Sequence, residues 1–310
     1  MRNKDIVLNI PIYHLCNQNC IFCSEGDKSD HKYLKGNEDK YIYKLIKDGI
    51  KDSKSLIFTT GEPTLNKNLH LYIKFAKDLG YERIGLVTNG SLMNNDEIRN
   101  NILNSGLTQI IFSIHGSNSI IHDYNTQIKG SFNKAFLGLM MTLKEGKNID
   151  IYVSFVLNKT NLNDLYVYIK KFYLLGVKKI LINTIRPEGY GQDNYLKYGF
   201  HYDKFIEYIK KLTKQQLELV NNLVKLDILN IMDIPVCIIK QSGLDISSYG
   251  TIELRKTFDN GKQLIIDNTV KNEIDLENGK TYVNKCFKCK YNYYCEGFYV
   301  DYINNFSKDE

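Results

Sequence analysis

Cys16-Asn17-Gln18-Asn19-Cys20-Ile21-Phe22-Cys23 sets three thiols in a C-x3-C-x2-C run. Three thiolates on one tight loop can hold three irons of a cubane cluster and leave the fourth open, and an open metal position is a catalytic feature. The spacing also suits zinc, with His14 or His31 completing a set of three cysteines and one histidine, and unligated thiols are a third reading. A second group, Cys286, Cys289 and Cys295, is spaced C-x2-C-x5-C, with Cys237 alone upstream. No cysteine falls at positions 24–236, where most of the core must lie, and packing cysteines would scatter. Clustering therefore favours metal ligation. Three ligands plus four uses all seven cysteines, which makes Cys237 the fourth of a closed second set. That set fits iron–sulfur or zinc by spacing alone. The apolar surroundings of Cys237, Ile234-Pro235-Val236 and Ile238, also suit an inert buried thiol.

The elements that must carry these groups read as an α/β fold. In 310 residues, 43% are hydrophobic and 25% charged, so a core can be buried and a disordered or collagen-like chain is excluded. The apolar runs are strand-sized, too short to span a bilayer, and no signal peptide precedes them. The expectation is a soluble, cytoplasmic chain whose thiols stay reduced. A formal charge of +6, with lysines spread over every helical pattern, reads as solvated faces, not a nucleic-acid stripe.

β-rich runs at 6–13, 54–59, 83–88, 109–114, 149–157 and 179–185 alternate with helical patterns near 38–51, 68–79, 95–104, 132–146 and 162–175. Asn94 with Glu97 and Asn161 with Asp164 read as helix starts; Gly80, Gly106, Gly146 and Gly176 read as left-handed stops. The stretch 202–226 reads as a sixth, long helix. Six βα units give a partial TIM-like barrel, not the closed eightfold one. Beyond residue 228 the pattern changes. Segments 252–258 and 263–266 flank a glycine turn as a hairpin, and a small cysteine-rich region follows. We expect domains at 1–228 and 229–310.

In a βα fold, chemistry collects at the carboxyl ends of strands. The cysteine triplet follows the first strand. Thr60-Gly61-Glu62-Pro63 follows the second, Thr88-Asn89-Gly90 the third, and Ser113, His115 and Gly116 the fourth. Any one of these is a turn by itself. Four in register describe a ligand-binding mouth.

On these motifs the chain resembles the radical S-adenosylmethionine (SAM) superfamily, in the group of peptide maturases and molybdenum- and nitrogenase-cofactor enzymes, over roughly residues 6–190. The resemblance implies a [4Fe–4S] cluster on Cys16, Cys20 and Cys23, with Phe22 as an apolar wall or a core residue. It implies that Gly61, Glu62 and Pro63 meet the methionine amino group, Thr60 standing where relatives have glycine, and that Asn89 and Ser113 meet the ribose. His115 replaces an acidic residue common in relatives, and Gln127, with Lys129 as substitute, stands where relatives often place the arginine that meets the methionine carboxylate. The C-terminal spacing resembles the auxiliary-cluster (twitch/SPASM-like) domain of peptide-maturing relatives, cut to one cluster because Tyr299 stands where a further cysteine would follow. Two [4Fe–4S] clusters and SAM are the implied cofactors, with a reductase or flavodoxin-type protein as electron donor.

Full ligation of the seven cysteines leaves no thiol to give a hydrogen atom or accept a methyl group. That disfavours epimerase and two-cysteine methylase chemistry. The expected function is reductive SAM cleavage to a 5′-deoxyadenosyl radical and oxidative modification of a peptide, with a separate leader-binding protein as a possible partner. The same chemistry on a small metabolite is the alternative, then a glycyl-radical activase, then a non-catalytic iron–sulfur or zinc scaffold.

Overall fold

The computed structural model describes residues 7–12, 15–26, 38–247, 255–259, 262–265, 279–292 and 295–306. His14 and His31, and the turn of the expected hairpin, lie outside them. In chain order the elements are β1 (Val7–Pro11), α1 (Glu38–Gly49), β2 (Ser55–Thr59), α2 (Leu69–Asp78), β3 (Arg83–Thr88), α3 (Asp96–Leu103), β4 (Gln109–Ser113), α4 (Ser119–Thr126), α5 (Ser131–Glu145), β5 (Asp150–Leu157), α6 (Leu165–Leu174) and β6 (Lys179–Thr184). There follow α7 (Tyr190–Asp193), α8 (Tyr195–Tyr198), α9 (Tyr202–Lys210), α10 (Lys214–Lys225), β7 (Leu229–Ile231), α11 (Val236–Ser242), β8 (Arg255–Asp259), β9 (Lys262–Ile265), β10 (Lys280–Thr281), β11 (Phe298–Tyr299) and α12 (Val300–Phe306).

Strands β1 to β7 lie side by side in sequence order, and all are parallel. This is the partial βα barrel expected, one strand longer than the six runs read from the sequence. In β5 and β6 buried and half-buried residues alternate, as strands with two unlike faces require. Leu8, Ile10, Phe58, Leu86, Ile110, Phe112, Val153 and Ile182 join the large core. The other face holds a small apolar group, Val7, Ile57 and Ile111 with Val87, Tyr152 and Leu181 packed on it. Two residues further along that face, toward the strand ends, stand half-buried Ser113, Ser154 and Asn183, where Asn183 Nδ2 donates to Ser154 Oγ at 3.3 Å.

Several local expectations change. The α3 cap is Asn95, which accepts from Ile98 N at 3.0 Å, not Asn94. Gly80, Gly106 and Gly176 are left-handed, but Gly146 has φ −81° and only receives the helix end. The stretch 202–226 is two helices, because Thr213 and Gln216 form a capping box that starts α10 anew. The β8–β9 hairpin is present, yet β8 pairs in parallel with β1 and so continues the main sheet past residue 228. The C-terminal part packs tightly on the barrel side: Tyr302 stacks on Tyr202 with ring centroids 4.1 Å apart. Among the described residues no helix is long and apolar enough to cross a membrane.

Candidate active site

The cysteine loop leaves β1 and is held by the ends of its neighbours. Glu62 N donates to Leu15 O at 2.9 Å, tying the loop to the end of β2. Asn17 Nδ2 donates to Ser91 Oγ at 2.8 Å, and its Oδ1 accepts from Asn89 Nδ2 at 2.7 Å, tying it to the end of β3. Asn19 N and Ile21 N donate to Thr126 O and Asn125 O at 3.0 Å each, at the end of α4. From beyond β6, Tyr190 N donates to Cys23 O and Asn194 Nδ2 to Ile21 O, both at 2.9 Å. Close approach there depends on glycine: a Cβ on Gly189 would stand 2.4 Å from Gly26 N and 2.7 Å from Cys23 O. Cys16, Cys20 and Cys23 are partly buried on this clamped loop.

The residues expected to bind SAM are brought to the same rim, in different roles. Glu62 is fully buried, not a rim carboxylate. Its Oε1 accepts from Thr64 N (3.0 Å), Thr64 Oγ1 (2.5 Å) and Thr88 Oγ1 (2.6 Å), and its Oε2 from Asn89 N (2.6 Å). Burial pushes its pKa up, and the hydrogen bonds from Thr64, Thr88 and Asn89 recover only part of that shift. Its side chain braces two strand ends. Pro63, buried, starts the 3-10 turn that Glu62 caps.

Thr60 and Gly61 precede it with φ 75° and 61°. A β-branched residue there is strained by about 1–3 kcal/mol, and such strain persists where neighbours impose it. Asn89 is oriented by Ser91 N, which donates to its Oδ1 at 2.9 Å, and its Nδ2 lies 3.8 Å from Cys16 Sγ. Ser113 ends β4 on the half-buried face.

Phe22 is buried in the core, its ring edge-on to His115 at 4.6 Å. His115 Nδ1 accepts from Val156 N at 3.1 Å, and His115 N donates to His122 Nδ1 at 2.9 Å. Burial, with the neighbouring His122, holds His115 well below the usual imidazole pKa; burial takes His122 down to about 4. Gln127 sits beside the loop, but its Nε2 donates back to Tyr124 O at 2.5 Å. At the position where relatives often place an arginine, this amide thus serves its own helix end.

At the second group, Cys237 stands exposed on α11. Crowding by neighbouring atoms pushes its thiol up to about 11, and the nearby thiols of Cys295, Cys286 and Cys289 add to the rise. The four cysteines thus share one neighbourhood, which Lys240 on α11 stitches together by donating to Tyr291 OH at 2.8 Å. Among the described residues no three of His, Cys, Asp and Glu converge as ligands of one ion would.

A charge network around the buried Asp233, missed by sequence reading, joins the two cysteine segments. Arg186, in the stretch leading to Tyr190, donates from Nε to Asp233 Oδ2 at 3.3 Å. Asp233 Oδ1 accepts from Lys280 Nζ and Tyr299 OH, each at 3.0 Å, and Lys280 also pairs with Glu296 beside Cys295. Burial pushes the Asp233 carboxyl up, but Arg186, Lys280 and Tyr299 outweigh it and hold the group well below the carboxylate range. These partners lie 47 and 66 positions from Asp233, beyond any local pattern.

The radical SAM superfamily model matches residues 10–172. A probable GTP 3′,8-cyclase of Saccharolobus solfataricus is 30% identical over 217 residues, 68% of this chain and 66% of the relative. One from Sulfurisphaera tokodaii is 27% identical over 213 residues, 68% and 64% of the two chains. The chain thus spans just under two thirds of these relatives. Among solved structures, Streptococcus suis SuiB bound to precursor peptide SuiA has a TM-score of 0.65 at 14% identity, covering 97% of this chain and 73% of SuiB. Native anSMEcpe with bound AdoMet gives 0.62 at 17%, covering 98% and 91%. These likenesses share the fold, including its C-terminal part. Since the family match takes in more than half of its residues, the chain belongs to the radical SAM superfamily and is an enzyme of it.

Proposed function

We propose that the enzyme holds a [4Fe–4S] cluster on Cys16, Cys20 and Cys23, cleaves SAM reductively, and takes hydrogen from a substrate on the half-buried face of the sheet. One observation carries the reading: the thiol loop is clamped by four neighbouring chain segments, among them the ends of β2 and β3. The residues fit the group. Two of the three partly buried thiols meet a side-chain amide, with Asn89 Nδ2 3.8 Å from Cys16 Sγ and Gln18 Oε1 3.6 Å from Cys20 Sγ. A cubane's ligands sit on separate irons and need not converge on one point. Once bound and reduced by one electron, the cluster and SAM supply a 5′-deoxyadenosyl radical.

The chain's own contribution is placement. Thr60 and Gly61 turn the backbone into left-handed geometry at the rim, and Glu62, next in the chain, ties Thr64 to Asn89 at the neighbouring strand end. Ser113 offers a half-buried hydroxyl to a ribose or a substrate. Phe22 and His115 close the inner side of the loop against water. We assign Cys237, Cys286, Cys289 and Cys295 to one auxiliary [4Fe–4S] cluster, with a flavodoxin-type protein or reductase as electron source.

For the substrate, oxidative modification of a peptide is the leading reading. It is supported by the likeness to peptide-bound SuiB, which runs through the C-terminal cysteine segment. A nucleotide is the second reading. It is favoured by the relatives named as GTP 3′,8-cyclases and by Arg186, whose side chain is 49% exposed while Asp233 holds only its Nε. The test is anaerobic reconstitution with a strong reductant, assayed for 5′-deoxyadenosine. No product sinks the enzyme's proposed chemistry. With product in hand, GTP consumption without peptide would select the nucleotide.

A further inference from the structure

Gln18 lies between Cys16 and Cys20 and is 7% exposed. Cys20 Sγ donates to its Oε1 at 3.6 Å, while its Nε2 is buried with no partner among the described residues. A buried amide N–H left unpaired costs about 1–3 kcal/mol, so this arrangement needs an explanation. The two ends of a carboxamide exchange by rotation about its last bond, and which end faces a neighbour follows from what that neighbour can accept. Here the neighbour changes with ligation. A thiol can donate to Oε1. A sulfur bound to iron has no proton and can only accept, so the stable orientation then turns Nε2 toward it.

Asn89 provides an internal comparison. Its Oδ1 is committed to Ser91 N and its Nδ2 to Asn17 Oδ1, so its N–H face is already fixed toward Cys16. Two of the three loop sulfurs therefore lie beside a carboxamide, one fixed and one able to turn.

We propose that Gln18 donates its side-chain N–H to the Cys20 sulfur in the ligated enzyme and raises the reduction potential of the SAM-binding cluster. The inference rests on the assignment of Cys16, Cys20 and Cys23 as its ligands. Hydrogen bonds to cluster sulfurs stabilise the more negative, reduced state, so removing one makes reduction harder. Gln18 is a positioning residue: it acts on the cluster through Cys20.

The test uses anaerobically reconstituted holoenzyme, following by electron paramagnetic resonance the reduced signal that shifts on adding SAM. In Q18M, which keeps the bulk but no N–H, the midpoint potential of that signal should fall, with iron content unchanged. In Q18E, which places only acceptors there, it should fall further. Protein labelled with 15N in the glutamine side-chain amide should show a nitrogen coupling to the cluster in the wild type and none in Q18M. An unchanged midpoint in Q18M at full iron, or no coupling in the labelled wild type, overturns the role of Gln18. A wild type with no SAM-sensitive signal overturns the triplet assignment as well.

Discussion

The carboxylate of Glu62 accepts the backbone N–H of Asn89 at 2.6 Å, bridging the ends of two adjacent strands from a fully buried position. Glu62→Gln puts an amide N–H against one of the donors now served by Oε1 or Oε2. We expect a loss of about 1.5–3 kcal/mol in urea unfolding, the usual worth of a hydrogen bond to a charged group. SAM affinity should fall with it. An unchanged unfolding midpoint would return Glu62 to a purely ligand-facing role.

Thr60 holds φ 75° next to Gly61. Thr60→Gly removes the strain of a β-branched side chain there and adds backbone freedom to the unfolded chain. The net expectation is a gain of about 1 kcal/mol in stability. A destabilised variant would mean that the threonine side chain makes contacts worth more than its strain.

Gly189→Ala should disable the first cysteine loop and spare the rest of the fold. Its Cβ would meet Gly26 N at 2.4 Å and Ser24 O at 2.6 Å, at a residue already at φ 53°. Backbone at both contacts cannot yield cheaply. Iron bound by the triplet and 5′-deoxyadenosine formation should drop together, while circular dichroism stays native. Full iron in this variant would show the loop to be pliant.

Acid should destabilise the protein through His115 and His122. Both are neutral in the folded protein at neutral pH and bind protons more weakly there than in the unfolded chain, whose ordinary value is about 6.5. Their contribution is therefore complete above pH 6.5 and declines as pH falls toward 4, where His122 itself protonates in the native state. His122 alone accounts for about 3 kcal/mol across that window. Histidine NMR at pH 5 should show both rings neutral, and a ring titrating near 6.5 would contradict their burial.

Cys237→Ala addresses the second cysteine group. The side chain stands exposed near the thiols of Cys295, Cys286 and Cys289, so the variant should fold and lose about half of the iron of the reconstituted enzyme. A full iron complement with lost turnover would instead make Cys237 a catalytic thiol and reopen chemistry that needs a hydrogen-atom donor.

What could be read in advance was local. The strand runs and the glycine stops at Gly80, Gly106 and Gly176 follow from short-range pattern, and so does the placement of the triplet at a strand end. Helix α4 escaped notice because it is short and carries His122, Asn125 and Thr126 on its buried side, which breaks the apolar period. Strand β7 has three residues, too few to alternate. The groups that hold the site come from far along the chain: Asn17 reaches Ser91 across 74 positions and Asn89 across 72. The burial of Glu62 was illegible for a related reason. A Gly-Glu-Pro turn looks like surface, and only the arrival of Thr88 and Asn89 above it makes the carboxylate interior.

The parallel pairing of Val7 with Arg255 joins the first strand to one that follows all seven βα-type strands. During synthesis β1 can settle against β2 early, but its other edge stays open until nearly the whole chain has emerged. Closing so distant a contact is entropically expensive, so this is a late event in assembly. Until then a row of unpaired backbone groups at β1 is available to any other extended strand. Chains cut short before residue 255 should therefore associate with one another, even where the thiol loop and its clamps are already in place.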